Sequence, residues 1–185
     1  RIIRTNADGS VRMLYSGTAT DTTSGYLSTG TSKFNTSNNS PKYVGYMYGE
    51  NDDTLVNART NTNNSTIKTA IDNWYKTTTL ETDSATKSLV ADQIFCNDRT
   101  ASTSNVAYST TNYTTLPSWN STEMNYYYGA YGRLYESKSP VLTCPTASDK
   151  FTVNTSNGNG ALTYPVGLIT ADEVAMAGGK FSSDN

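Results

Sequence analysis

Leu168-Ile169-Thr170-Ala171-Asp172-Glu173-Val174-Ala175-Met176-Ala177-Gly178-Gly179 carries the sharpest local grammar in this chain. Thr170 and Glu173 have the spacing of a capping box, in which hydroxyl and carboxylate each accept an otherwise orphaned backbone N–H. Ile169 and Val174 flank it at hydrophobic-staple positions, and Gly178 or Gly179 supplies the left-handed residue that ends a helix. The stretch predicts a two-turn helix over 171–177.

A second helix is read further upstream, over 65–76. Ile67, Ala70, Ile71, Trp74 and Tyr75 recur at i, i+3, i+4, i+7 and i+8, behind Asn63, Asn64 and Ser65 as N-cap candidates. Ile71 and Trp74 of this helix, with Leu168 and Val174 of the other, are expected in the core. At the front of the chain, β-branched and apolar residues on either side of Asp8-Gly9 predict a β-hairpin within 1–15. Tyr43-Val44-Gly45-Tyr46-Met47-Tyr48-Gly49 reads as a short strand stopped by glycine. Leu89 to Cys96 reads as a buried element, extended towards Cys96. Between these lie Ser/Thr/Asn-rich connections at 16–41 and 100–128, which have neither helical nor strand period. Hairpin, helix, strands and helix in this order predict an α+β fold, and 185 residues are the size of a single domain.

Composition narrows the function classes. Only 16% of residues are charged and the net charge is −2, so there is no basic surface to neutralise phosphates and no nucleic-acid partner is expected. No apolar run approaches the roughly 18 residues of a membrane span, so no membrane contact is expected within this stretch. The opening Arg1-Ile2-Ile3-Arg4 is unlike a signal peptide, which places any export signal or anchor elsewhere.

Histidine is absent, which removes Ser-His-Asp and Cys-His nucleophile systems and the usual zinc ligand sets. Cys96 and Cys144 suit a disulfide in a hydroxyl-rich exported chain, the alternative being two separate buried thiols. Ser65-Thr66-Ile67-Lys68 and Ser183-Asp184-Asn185 spell two of the three penicillin-binding motifs, but no Lys-Thr-Gly follows and Ser84-Ala85-Thr86-Lys87 repeats the first by chance. Glu50-Asn51-Asp52-Asp53 lacks the spaced ligand series of a calcium loop. Asn157-Gly158-Asn159-Gly160 lacks the third glycine of a phosphate loop and reads as a turn. Asp98-Arg99 reads as a structural pair, for no base is adjacent. No cofactor or metal site is expected, and no catalytic residue can be named. The remaining candidates are Trp119, Tyr126, Tyr127, Tyr128 and Tyr131, since tyrosine on loops gives contact area to a sugar or a protein at little entropic cost, with core filling as the alternative.

The motifs Arg1-Ile2-Ile3-Arg4, Asp8-Gly9-Ser10-Val11-Arg12, Tyr43 to Tyr48, Ile67 to Tyr75, Phe95-Cys96-Asn97-Asp98-Arg99 and Leu162 to Glu173 closely resemble an uncharacterised family of surface domains from Gram-positive-type gut bacteria. Its members often occur in proteins with a prepilin-like helix or surface repeats. The resemblance implies a C-type-lectin-like fold, shared with the formylglycine-generating enzymes, whose Leu-Pro-Thr-Glu-Ala-Glu-Trp-Glu helix ending in Gly-Gly is similar to residues 168–179. Those enzymes carry their working cysteines beyond that helix. Here both cysteines precede it, so their catalysis is not carried over and a cryptic enzyme on this fold ranks last. The resembling family continues past the position of Asn185 with a further strand, so this chain is expected to be the front part of a longer domain. The resemblance implies an extracellular recognition or display domain that is not an enzyme, binding glycan or protein, or else a structural subunit contacting identical subunits in a pilus or filament.

Overall fold

The computed structural model describes residues 2–17, 30–34, 47–49, 60–99, 130, 133–134 and 137–179. In chain order these residues form β1 (Ile2–Thr5), β2 (Val11–Met13), α1 (Thr66–Tyr75), α2 (Thr79–Thr82), α3 (Ser84–Ser88), β3 (Phe95–Cys96), β4 (Lys150–Phe151) and α4 (Ala171–Met176), with one 3-10 turn at Ala147–Asp149. Helices and two small antiparallel sheets together make an α+β structure, as the sequence predicts.

The first sheet is the expected hairpin. Asn6 N donates to Ser10 O at 2.8 Å and Gly9 N to Asn6 O at 3.0 Å, while Ser10 N and Oγ both donate to Asp8 Oδ1. Those two bonds hold the Asp8 carboxyl below its ordinary range. Register pairs Ile2 with Met13, Arg4 with Arg12 and Thr5 with Val11, with an irregularity between Ile2 and Arg4. The face carrying Ile2, Val11 and Met13 is exposed, whereas Arg12 on the opposite face is buried. Alternation is present but inverted relative to an ordinary half-buried hairpin.

The second sheet joins distant parts of the chain, Phe95 opposite Phe151 and Cys96 opposite Lys150. Around it lies the core of Met47, Tyr48, Phe151 and Leu162, with Phe95 and Ala161 packed against it. Tyr48 stacks on Phe151 with ring centroids 5.4 Å apart, and its hydroxyl donates to Ala161 O. Ile71, Trp74, Leu168 and Val174 are half-buried rather than core. On α1 the buried positions are Lys68 and Tyr75, because Lys68 turns inward to pair with Asp72 and lies 5.3 Å from the Tyr48 ring centre. Trp74 instead packs against Tyr15, with ring centres 4.8 Å apart and the planes tilted by 57°.

Both expected helices form. On α1, Ser65 Oγ accepts from Lys68 N at 3.1 Å, the N-cap bond. On α4 both halves of the capping box are made, Thr170 Oγ1 from Glu173 N at 3.0 Å and Glu173 Oε2 from Thr170 N at 3.1 Å. Gly178, at φ 91°, then lets Gly179 N reach Val174 O and Gly178 N reach Ala175 O, the paired bonds of a Schellman stop.

Two expectations need correction. Residues 89–94 are neither buried nor extended as a unit: Leu89 is 83% exposed after α3, and only Phe95–Cys96 is strand. The apolar run is broken by Asp92, whose carboxylate accepts from Val153 N and Asn154 N, both at 2.8 Å, and so pins an outer loop instead of entering the core. The helices α2 and α3 were not anticipated; Thr78 and Asp83 begin them, and Asp83 accepts from Thr86 N at 2.7 Å as a true cap. Of the strand expected over 43–49, residues 43–46 lie outside the described residues, while Tyr48 makes a single bridge to Asn64.

Candidate functional site

Cys96 and Cys144 form a disulfide, with Cα atoms 5.4 Å apart and a sequence separation of 48. It clasps β3 to the segment before β4 and contributes roughly 4 kcal/mol by loop-entropy arithmetic. Beside it opens a cleft of about 620 Å³. The disulfide, Met47, Leu168 and Ile169 line its apolar part, with Val141 and Leu142 at 38% exposure on the rim. Arg4, Arg133 and Lys150 bring cations to the wall, and Asp98, Asp172 and Glu173 bring carboxylates.

These charges are organised in two knots. Arg133 donates from Nε and Nη2 to the two oxygens of Asp172, at 3.0 and 2.9 Å, and from Nη1 to Asp98 at 2.8 Å. The planar fork fits a carboxylate bidentately, so one arginine bridges β3's exit to the start of α4. The bonds to Asp172 and then Asp98 hold the guanidinium protonated beyond its ordinary range. Asp172 also accepts from Val141 N at 2.9 Å, which fixes the cleft rim to the helix.

In the second knot, Arg4 and Arg12 face each other across the hairpin, an arrangement that like charges disfavour. Glu173 resolves it by lying 3.5 Å from Arg4 and 3.3 Å from Arg12. Burial pushes the Arg12 guanidinium down, against the pull of Glu173. Arg12 also donates to Ile94 O and rests 4.1 Å over the Phe95 ring, so the hairpin docks through its charged face. Behind the cleft a third pair is fully buried: Arg99 is 2% exposed and donates from Nε and Nη2 to Asp149 at 2.8 and 2.6 Å. The Asp98-Arg99 dipeptide therefore splits its charges between two different partners.

Trp119, Tyr126, Tyr127, Tyr128 and Tyr131 lie outside the described residues, as do the acidic turn at 50–53 and Ser183-Asp184-Asn185. Their attachment is nevertheless described at both ends. The chain leaves at Arg99 and returns at Ala130 and Arg133, and Asp98 and Arg133 are the pair joined at 2.8 Å. Ser65-x-x-Lys68 serves as helix cap: Ser65 Oγ donates to Met47 O at 2.8 Å and Lys68 Nζ pairs with Asp72. Among the described residues, no group of three His, Cys, Asp or Glu is placed to hold a metal ion, and no helix is long and apolar enough to cross a membrane.

Arg133 and Asp149 were not singled out from the sequence. Glu173 was recognised only as a cap residue, and nothing local marks Arg133 or Asp149, whose partners are 35 to 50 residues away. Comparison with protein-family models, with curated proteins and with solved structures gives no match.

Proposed function

We propose that this chain is a non-enzymatic recognition or display domain of a bacterial cell surface, with a C-type-lectin-like fold, which binds a glycan or protein through its Tyr-rich loop. The observation that carries this reading is the pair of ion-paired anchors on the described residues that flank the Tyr-rich stretch in sequence. Arg99 is locked to Asp149 on one side, and Arg133 is locked to Asp98 and Asp172 on the other. Fixed flanks of this kind suit a binding role for Trp119, Tyr126, Tyr127, Tyr128 and Tyr131, which the sequence offers between them. The cleft beside the anchor supplies an apolar floor with fixed charges, a combination suited to binding. The disulfide agrees with an oxidising, extracellular location.

A second reading is favoured by the hairpin, whose exposed Ile2, Val11 and Met13 form an apolar strip on a two-stranded sheet. In a filament subunit such a strip would meet an identical neighbour. One experiment separates the two. The triple variant Trp119→Ala, Tyr127→Ala, Tyr128→Ala is expected to lose saturable binding on a glycan or protein array while unfolding at the parental temperature. Retained binding by the triple variant, with filaments in the electron microscope that are lost on Met13→Ser in the hairpin strip, would favour the subunit. Unfolding of the triple variant would put the aromatics in the core, and substrate-dependent turnover by the pure domain would overturn the non-enzyme reading.

A further inference from the structure

Two Asn-Gly pairs stand side by side in the loop after β4, Asn157-Gly158 and Asn159-Gly160. Asn-Gly is chemically labile because glycine has no side chain to shield its own amide nitrogen from the neighbouring asparagine. Reaction needs two freedoms: the asparagine side chain must swing over the following peptide, and that peptide's N–H must not already be donated.

Asn159 has neither freedom. Its Nδ2 donates to Ser148 O at 2.8 Å, its Oδ1 accepts from Ala161 N at 3.0 Å, and the Gly160 N–H is given to Thr152 Oγ1 at 3.2 Å. Asn157 is exposed, and among the described residues neither its side-chain amide nor the Gly158 N–H makes a hydrogen bond. We infer that Asn157 is a site of spontaneous covalent modification, converting to aspartate and isoaspartate in the folded protein while Asn159 is spared.

The step balances without any cofactor. The Gly158 nitrogen loses its proton to solvent base and bonds to Asn157 Cγ. The Cγ–Nδ2 bond breaks and the side-chain nitrogen leaves as ammonia. Water then opens the succinimide at either carbonyl, to give aspartate with the main chain intact or isoaspartate with the main chain running through Cβ. One water enters and one ammonia departs.

Packing explains why position 158 takes glycine. A Cβ on Gly158 would lie 2.4 Å from Lys150 O and 2.5 Å from Thr152 Oγ1, so no other residue fits without displacing β4. The product has consequences for the same reason. The loop is pinned at Asn154 by Asp92 and at Asn159 by Lys150 O, 2.8 Å in both cases. Isoaspartate adds a main-chain atom to a segment fixed at both ends, next to Lys150 on the cleft wall.

The test is peptide mapping by mass spectrometry after incubation at mildly alkaline pH, for the disulfide-intact protein and for a reduced, urea-denatured sample. In the denatured sample both asparagines should convert at similar rates. In the folded protein Asn157 should convert several-fold faster than Asn159, and Asn157→Gln should leave only the slower conversion of Asn159 in this loop. Equal rates for Asn157 and Asn159 in the folded protein, or protection of both relative to the denatured sample, would overturn the inference.

Discussion

The two small sheets of this protein differ in a way that ladder length does not predict. The β1–β2 hairpin is the longer, four residues against three, yet it exposes its apolar face and buries Arg12. The β3–β4 pair has two residues on each side, yet Phe151 is wholly buried and the sheet is held by the disulfide and the Arg99–Asp149 pair. What distinguishes them is the origin of their contacts. The hairpin closes locally and then docks by charge on Glu173, whereas the second sheet exists only because long-range contacts converge on it. Burial follows the long-range contacts, and the local signal sets only the pairing.

The comparison predicts unequal sensitivity. Phe151→Ala removes a ring with no exposed surface that stacks on Tyr48 and lies 5.4 Å beneath the Arg99 guanidinium, and is expected to cost about 3–5 kcal/mol. Ile2→Ala, at 67% exposure on the hairpin, should stay within about 0.5 kcal/mol of the parent. Urea unfolding of both variants measures the difference. Equal costs would show that the hairpin strip is covered in solution and would erase the contrast.

A pH scan sharpens the same point. Tyr48, buried beside Phe151, has its phenol pushed up to about 12, first by burial and then by Asp72. An unfolded tyrosine ionises near 10, so the native state keeps a proton that the unfolded state gives up. The stabilisation is full below pH 10 and is lost as pH rises towards 12, at most roughly 3 kcal/mol across that window. Tyr75 is shifted the same way by its burial. Tyr48→Phe should flatten much of the alkaline decline in thermal stability, and an unchanged decline would assign it elsewhere.

Legibility from sequence divides along the same line. The α4 caps were readable because Thr170, Glu173 and Gly178 act within a few residues of one another. The hairpin was readable for its turn at Asp8-Gly9, but not for which face would be buried, because that depends on Glu173, far along the chain. The stripe on α1 located the helix but misjudged its burial, since Lys68 takes the inner position by pairing with Asp72 at i+4. Cys96 and Cys144 were named as a pair from composition and environment, and the structure joins them. The cleft and its Arg133 clamp were invisible, because ion pairs across tens of residues leave no local period. The aromatic candidates remain a sequence expectation, for they lie outside the described residues.

Glu173→Gln separates the two duties of one side chain. Glutamine can still accept the Thr170 N–H, so the capping box survives and α4 should keep its helicity. The negative charge between Arg4 and Arg12 is lost, however, and two facing guanidiniums are left without it. Arg12 is buried, so its charge cannot simply return to water, and the expected cost is about 1–3 kcal/mol. The loss should appear as faster hydrogen exchange at Thr5 and Val11 in the hairpin, with the amides of α4 unchanged. If exchange rises in α4 and not in the hairpin, Glu173 acts only as a cap, and the hairpin is held by Arg12 on Phe95 and Ile94 O. If neither rises, the hairpin does not dock by charge, and the distinction drawn between the two sheets fails.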